Sequence, residues 1–233
     1  MTPVTPTTRR QNVNFLTRHL RLAIGLLAFA VGAGAAAQPA PGKDYRIINP
    51  AQPTESGKRV EVLEFFWYAC PHCNALQPPL RVWLKQKPAD VDFRRVPAVL
   101  DNSWIPLTWT FYALDAMGAV DKLHYDVFHA IHDQRIRLSD QNVLFDWVAK
   151  QGLDRQKFAD TYNSFGVKSR GMRSIEMTRN YDVPGTPALV VDGKYLLAPS
   201  MILKPDKSVD YDRFFQVLDQ VIGMARKERA GKK

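Results

Sequence analysis

The sequence predicts an α/β fold interrupted by an inserted all-helical domain, and three observations carry that prediction. An almost continuously apolar strand, RVEVLEFFW from Arg59 to Trp67, runs straight into a Cys-x-x-Cys segment and a helix. From Ser103 to about Arg179 the strand signal disappears and helical periodicity takes over. A short hairpin and a last amphipathic helix then close the chain.

The composition agrees with a globular class. The chain has 233 residues, 45% of them hydrophobic and 24% charged, with two cysteines and a formal net charge of +9. These values exclude collagen-like, disordered and multi-disulfide classes. The first residues read as a secretory signal rather than as fold. Arg9, Arg10, Arg18 and Arg21 precede an apolar run from Leu22 to Ala33, no acid appears before Asp44, and Ala35 and Ala37 stand as an A-x-A cleavage site. A membrane anchor would need ~20 consecutive apolar residues; this run is shorter, and Gly25, Gly32 and Gly34 interrupt it or its end. Gln-Asn-Val-Asn after Arg9–Arg10 lacks a hydrophobic continuation, so general secretion is expected rather than twin-arginine export. Cleavage after Ala37 leaves 196 residues, enough for one sizeable core, and a charge of +5 spread along the chain. No basic stripe suggests nucleic-acid binding.

After the linker Gln38 to Gly42, a strand is expected at Tyr45 to Ile48, then the strong strand Arg59 to Trp67, in which Val60, Val62, Glu64 and Phe66 share a face. Glu64 is thus an acid in an apolar register. The helix after the cysteines, Asn74 to Lys87, offers Leu76, Leu80, Val82, Trp83 and Leu84 to the core; Pro71 suits its first turn, whereas Pro78 and Pro79 predict a kink. Val91 to Val96 supplies the next strand. Within the helical block, Trp109, Ala113 and Ala116, then Leu123, Val127 and Ile131, then Val143, Leu144, Trp147 and Val148 recur at helical spacing. Val183-Pro184-Gly185-Thr186-Pro187 breaks that pattern. Ala188 to Val191 and Lys194 to Ala198 flank an Asp192-Gly193 turn, and Tyr211 to Arg226 carries Phe214, Phe215, Leu218, Val221 and Ile222 on one face. Arg226 to Lys233 reads as a solvated basic tail.

Both cysteines fall within Cys70-Pro71-His72-Cys73, so no disulfide framework joins distant segments and the pair serves local chemistry. A first cysteine at a helix N-terminus meets unpaired N–H groups and the positive end of the helix dipole, which favour thiolate over thiol. His72 can add a charge or a donor. Each such effect stabilises the reduced form and makes the disulfide a stronger oxidant. The rival use of a CxxC is zinc, which needs four ligands. The chain has no third cysteine, and His124, His129 and His132 are expected as partly exposed surface residues rather than ligands.

The run FFWYACPHC after a strand, the Val-Pro-Gly-Thr-Pro segment before a late strand and the helical block between them resemble the thioredoxin superfamily and, within it, the DsbA family of periplasmic thiol:disulfide oxidoreductases. The resemblance spans Tyr45 to about Arg226. It implies a thioredoxin fold with an inserted all-helical domain: residues 1–37 a signal peptide, 38–100 the first part of the thioredoxin domain, 101–180 the insert and 181–233 the second part. It also implies Cys70 as the exposed nucleophile, Cys73 as its buried resolving partner in a redox-active disulfide, and Pro71 and His72 as the dipeptide that tunes the first sulfur. Glu64 matches the family's buried acid beneath the disulfide. Thr186 and Pro187 match the substrate-facing loop whose proline is cis, although the residue before that proline is often Val in the family.

The implied activity is oxidation of paired thiols in unfolded, newly exported periplasmic proteins by a monomer without cofactor or metal. A quinone-linked membrane oxidase of the DsbB type would recycle it. A disulfide reductase or isomerase of the same fold is the nearer alternative, and a metal-binding chaperone the more distant one.

Overall fold

The computed structural model describes residues 1–3 and 38–231; the expected leader therefore lies, but for its first three residues, outside the described part. From Pro39 on, the described residues pack as one compact unit. In chain order its elements are β1 (Arg46–Ile47), β2 (Val60–Phe66), α1 (Pro71–Gln86), β3 (Val91–Pro97), α2 (Ile105–Ala116), α3 (Val120–His132), α4 (Gln141–Lys150), α5 (Arg155–Asn163), α6 (Phe165–Asn180), β4 (Ala188–Val191), β5 (Tyr195–Leu197) and α7 (Tyr211–Gly231). Five helices, α2 to α6, stand between β3 and β4 with no strand among them.

The sheet has the order β1-β5-β4-β2-β3. β2 and β3 run parallel, placing Glu64 opposite Arg95; β4 is antiparallel to β2, and β5 to β4. Every residue of β2 is buried, as a near-continuous apolar strand requires of a strand covered on both faces. Its Val60 and Val62 pack with Leu76, Leu80 and Trp83 of α1 and with Phe214, Val217 and Leu218 of α7. Leu63 and Phe65 face the other way, toward Met177 of α6 and Tyr181. The hairpin turn places both Asp192 and Gly193 at positive φ, with Lys194 N–H donating to the Val191 carbonyl at 3.0 Å. A Cβ on Gly193 would also meet the Gln52 carbonyl at 2.0 Å, so glycine is required twice over.

Three local expectations are corrected. α1 starts at Pro71 rather than Asn74; in α1 Val82 points outward, and Gln77 takes a place in the buried stripe. His124 is 1% exposed rather than a surface residue, because α3 turns it into an aromatic core of Phe66, Tyr68, Phe111 and Phe128. Residues 226–231 are exposed apart from the half-buried Arg229, as expected of a solvated stretch, but they are helical rather than a tail. α7 continues to Gly231, with Arg226 paired to Asp90 and Arg229 to Asp192. The sequence of that stretch, rich in Arg, Lys, Glu and Ala, favours helix as readily as disorder.

Candidate active site

Cys70 is the N-cap of α1, in an extended conformation with φ −81° and ψ 117°, and Pro71 occupies the first turn where its missing N–H costs no bond. The Cys70 sulfur accepts the Cys73 backbone N–H at 3.4 Å and lies 3.3 Å from the Thr186 carbonyl oxygen. Both cysteines are free thiols here. Cys70 is 7% exposed and Cys73 fully buried. The Thr186–Pro187 peptide bond is cis, as the resemblance implies.

The two sulfurs differ in acidity. A hydrogen bond from the Cys73 thiol, opposed by partial burial and reinforced by the Thr186 side chain and the backbone N–H groups of Cys73 and His72, brings Cys70 from the usual 9.0 down to about 5. Burial pushes Cys73 strongly the other way, and the hydrogen bond and charge of Cys70 add to that shift; the Trp67 backbone N–H opposes it. The helix-end geometry anticipated from the sequence thus acts through named donors. His72 is exposed and reaches the sulfur with its backbone N–H.

Glu64 lies one layer deeper, fully buried, accepting from Gln77 Nε2 at 3.1 Å and from Arg95 Nε at 3.1 Å. Burial raises its pKa, against the charge of Arg95 and the hydrogen bonds of Gln77 and Arg95. Gln77 Nε2 also donates to the Cys73 carbonyl at 3.1 Å, so Gln77 links the acid to the helix turn that carries Cys73. Gln77 and Arg95 escaped sequence reasoning. The available signals were a glutamine four residues after Cys73, between Leu76 and Leu80, and an arginine in the strand that follows the helix. Beside the cysteines, a groove of about 470 Å³ is lined by His72, Thr186, Pro187, Pro199, Leu203 and Tyr211, among others.

The three histidines of α3 do not converge. His124 Nδ1 meets the Tyr68 hydroxyl at 3.0 Å, His129 meets Asp133 at 2.7 Å, and His132 Nε2 meets the Tyr68 carbonyl at 2.9 Å. Among the described residues no group of three or more His, Cys, Asp or Glu side chains could hold a metal ion.

The fold and this site define a thioredoxin-like protein with a Cys-x-x-Cys dithiol at the start of α1. The family model of DSBA-like thioredoxin domains matches residues 107–210. The thiol:disulfide interchange protein DsbA of Burkholderia cepacia is 39% identical over 182 residues, 78% of this chain and 85% of that protein. DsbA of Pseudomonas syringae pv. tomato is 37% identical over 219 residues, 93% of this chain and 98% of that one. The crystal structure of Pseudomonas aeruginosa DsbA superposes with a TM-score of 0.74 at 33% identity, covering 84% of this chain and 97% of that one. The chain belongs to the DsbA family of thiol:disulfide interchange proteins.

Proposed function

We propose that this disulfide oxidoreductase works as a dithiol oxidase, donating a Cys70–Cys73 disulfide to unfolded exported proteins in the periplasm. A substrate thiolate attacks the Cys70 sulfur, the Cys70–Cys73 bond breaks, and its electron pair leaves on Cys73, which takes up a proton. The substrate's second thiolate then attacks its own sulfur in the mixed disulfide and expels Cys70 as thiolate. The substrate loses two electrons and the enzyme gains them.

The observation that carries this reading is the place of the Cys70 sulfur at the N-cap of α1, accepting the Cys73 N–H at 3.4 Å, an environment that brings its pKa down to about 5. A sulfur so disposed is a good leaving group in the second step, and the same donors stabilise the reduced enzyme over the disulfide. Pro71 sets up the helix start, His72 supplies an N–H, Glu64 is the buried acid behind Cys73, and Thr186 and Pro187 border the groove that takes an extended substrate segment. Oxidant return by a quinone-linked membrane protein of the DsbB type completes the cycle. The basic start and apolar run of residues 1–37 support export and removal of that segment, residues 101–180 are the helical insert within the two thioredoxin parts, and the working unit is a monomer without cofactor or nucleic-acid partner.

Equilibrating the Cys70–Cys73 pair against glutathione, together with oxidation of a reduced, unfolded dithiol protein, tests the reading. A pair that is mostly reduced where glutathione is mostly reduced, and that oxidises the substrate stoichiometrically, is expected. A pair that stays oxidised in the same buffer and reduces disulfides faster than it forms them would make it a reductase or isomerase.

A further inference from the structure

The turn from Trp67 to Cys70 touches both sulfurs. Cys70 N–H donates to the Trp67 carbonyl at 3.0 Å, and the Trp67 N–H supports the Cys73 sulfur. Between them, Tyr68 is held twice from the helical insert. Its hydroxyl meets His124 Nδ1 at 3.0 Å inside the aromatic core, and its backbone carbonyl meets His132 Nε2 at 2.9 Å. His124 and His132 lie eight residues apart on α3, about two turns, so one helix face presents both. The two atoms they hold belong to one residue, and no other described hydrogen bond ties that residue's side chain or carbonyl to the insert.

A carbonyl only accepts, so His132 must carry its proton on Nε2. Burial disfavours the charged form of His124; its Nδ1 pairs with the Tyr68 hydroxyl, and its buried Nε2 is left without a hydrogen-bond partner. A buried ring nitrogen without a partner is destabilising. A leucine would fill that core without this cost but could not hold Tyr68.

We propose that His132 and His124 are positioning residues through which the helical insert sets the geometry of the Trp67–Cys70 turn, and with it the reactivity of the cysteine pair. Neither touches substrate or sulfur. His132 is the more informative, since it grips the main chain: releasing the Tyr68 carbonyl frees the turn to drift, and the N–H donors that favour the Cys70 thiolate lose alignment. This inference rests on the proposed oxidase function only for its consequence.

The test compares reduced wild type, His132→Ala and His132→Gln by thiolate absorbance against pH, glutathione equilibrium and thermal unfolding. Gln offers an amide N–H to the Tyr68 carbonyl without a titrating ring. His132→Ala is expected to raise the Cys70 pKa and move the glutathione equilibrium toward the disulfide by about three- to tenfold, which corresponds to roughly half to one pKa unit. His132→Gln should return both to within about twofold of wild type. An Ala variant with wild-type pKa and equilibrium constant overturns the inference, as does a Gln variant as perturbed in both as Ala. Should His132→Ala fail to fold, His132→Phe keeps an aromatic ring at the same place without a donor for the Tyr68 carbonyl: it is expected to show the shifts given for Ala, and wild-type values of both the Cys70 pKa and the equilibrium in it would overturn the inference. Wild type reports separately on the oxidase reading, because a wild-type Cys70 of ordinary acidity would sink that reading whatever the variants do.

Discussion

Cys73 offers both its thiol and its backbone N–H to the Cys70 sulfur, and it is the residue that most lowers the Cys70 pKa while its own pKa rises. The pair is therefore one polarised unit, in which the buried member stays protonated so that the outer member can ionise. Replacing the Cys73 thiol by a hydroxyl keeps a donor and replacing it by methyl removes one. Alkylation of Cys70 in Cys73→Ser should rise with pH around a midpoint near 5, as in wild type, whereas Cys73→Ala should move that midpoint upward. Equal midpoints in Ser and Ala variants would show that the thiol donor is unimportant.

The same shift makes the stability of the reduced protein pH-dependent. The folded pKa of Cys70 lies below its ordinary value of 9.0, at about 5. The stabilisation is complete above the unfolded value, diminishes as pH falls through that window and vanishes below the folded one. The disulfide form has no thiolate and lacks this dependence. The melting temperature of reduced protein minus that of oxidised protein should therefore shrink steadily from pH 8 to pH 4. A difference that stays constant over this range would contradict a thiolate ground state.

Much of this site is legible in the sequence because its parts are local. The spacing of Cys70 and Cys73 places one sulfur at a helix end and the other a turn inside, and the period of a strand exposes Glu64 as a misplaced acid. What stays hidden depends on register and docking. Arg95 faces Glu64 only because β2 and β3 pair in parallel with those residues opposite. The hold of His132 on Tyr68 spans 64 residues, and it needs α3 to lie against the turn. His124 shows the limit of periodicity: an apolar helix face identifies which residues can be buried, but not that a histidine among them will be. Arg229 reads as tail composition until its partners, Asp192, Gly57 and Thr54, arrive from the hairpin and the turn before β2.

That last cluster should matter for stability and not for redox chemistry. Arg229 and Asp192 side chains are 25% and 13% exposed, so their bonds are only partly screened. Arg229→Ala should cost about 1–2 kcal/mol by chemical denaturation, with the glutathione equilibrium unchanged. A shift in that equilibrium would reveal a coupling between the two ends of the sheet that the contacts do not provide.

His72 contributes a backbone N–H to the Cys70 sulfur, and His72→Ala retains it. The potential of this variant should therefore become less oxidising by under ~30 mV, the equivalent of one pKa unit. A loss of ~60 mV or more would mean that the imidazole itself stabilises the thiolate.

Glu64 and Arg95 form the buried pair behind the cysteines, their side chains fully buried and 14% exposed. Removing one partner of such a pair is costlier than removing both, because the survivor keeps its desolvation without its counter-charge. Glu64→Leu strands a guanidinium that cannot deprotonate, and it should destabilise the protein by about 3 kcal/mol at neutral pH. Arg95→Leu strands a carboxyl that can escape by binding a proton. Its pKa is already raised by burial and loses the opposing charge of Arg95, so the native state retains the proton to higher pH than the unfolded chain does. The destabilisation is absent below the unfolded value of 4.5 and grows as pH rises through the window up to the folded one. Glu64→Leu/Arg95→Leu removes both charges and should recover most of the loss, leaving mainly the open amide of Gln77. Denaturation curves of the four proteins at pH 5 and pH 8 close the cycle. Additive single losses, or an Arg95→Leu penalty that does not grow with pH, would show that the pair is not coupled as its geometry requires.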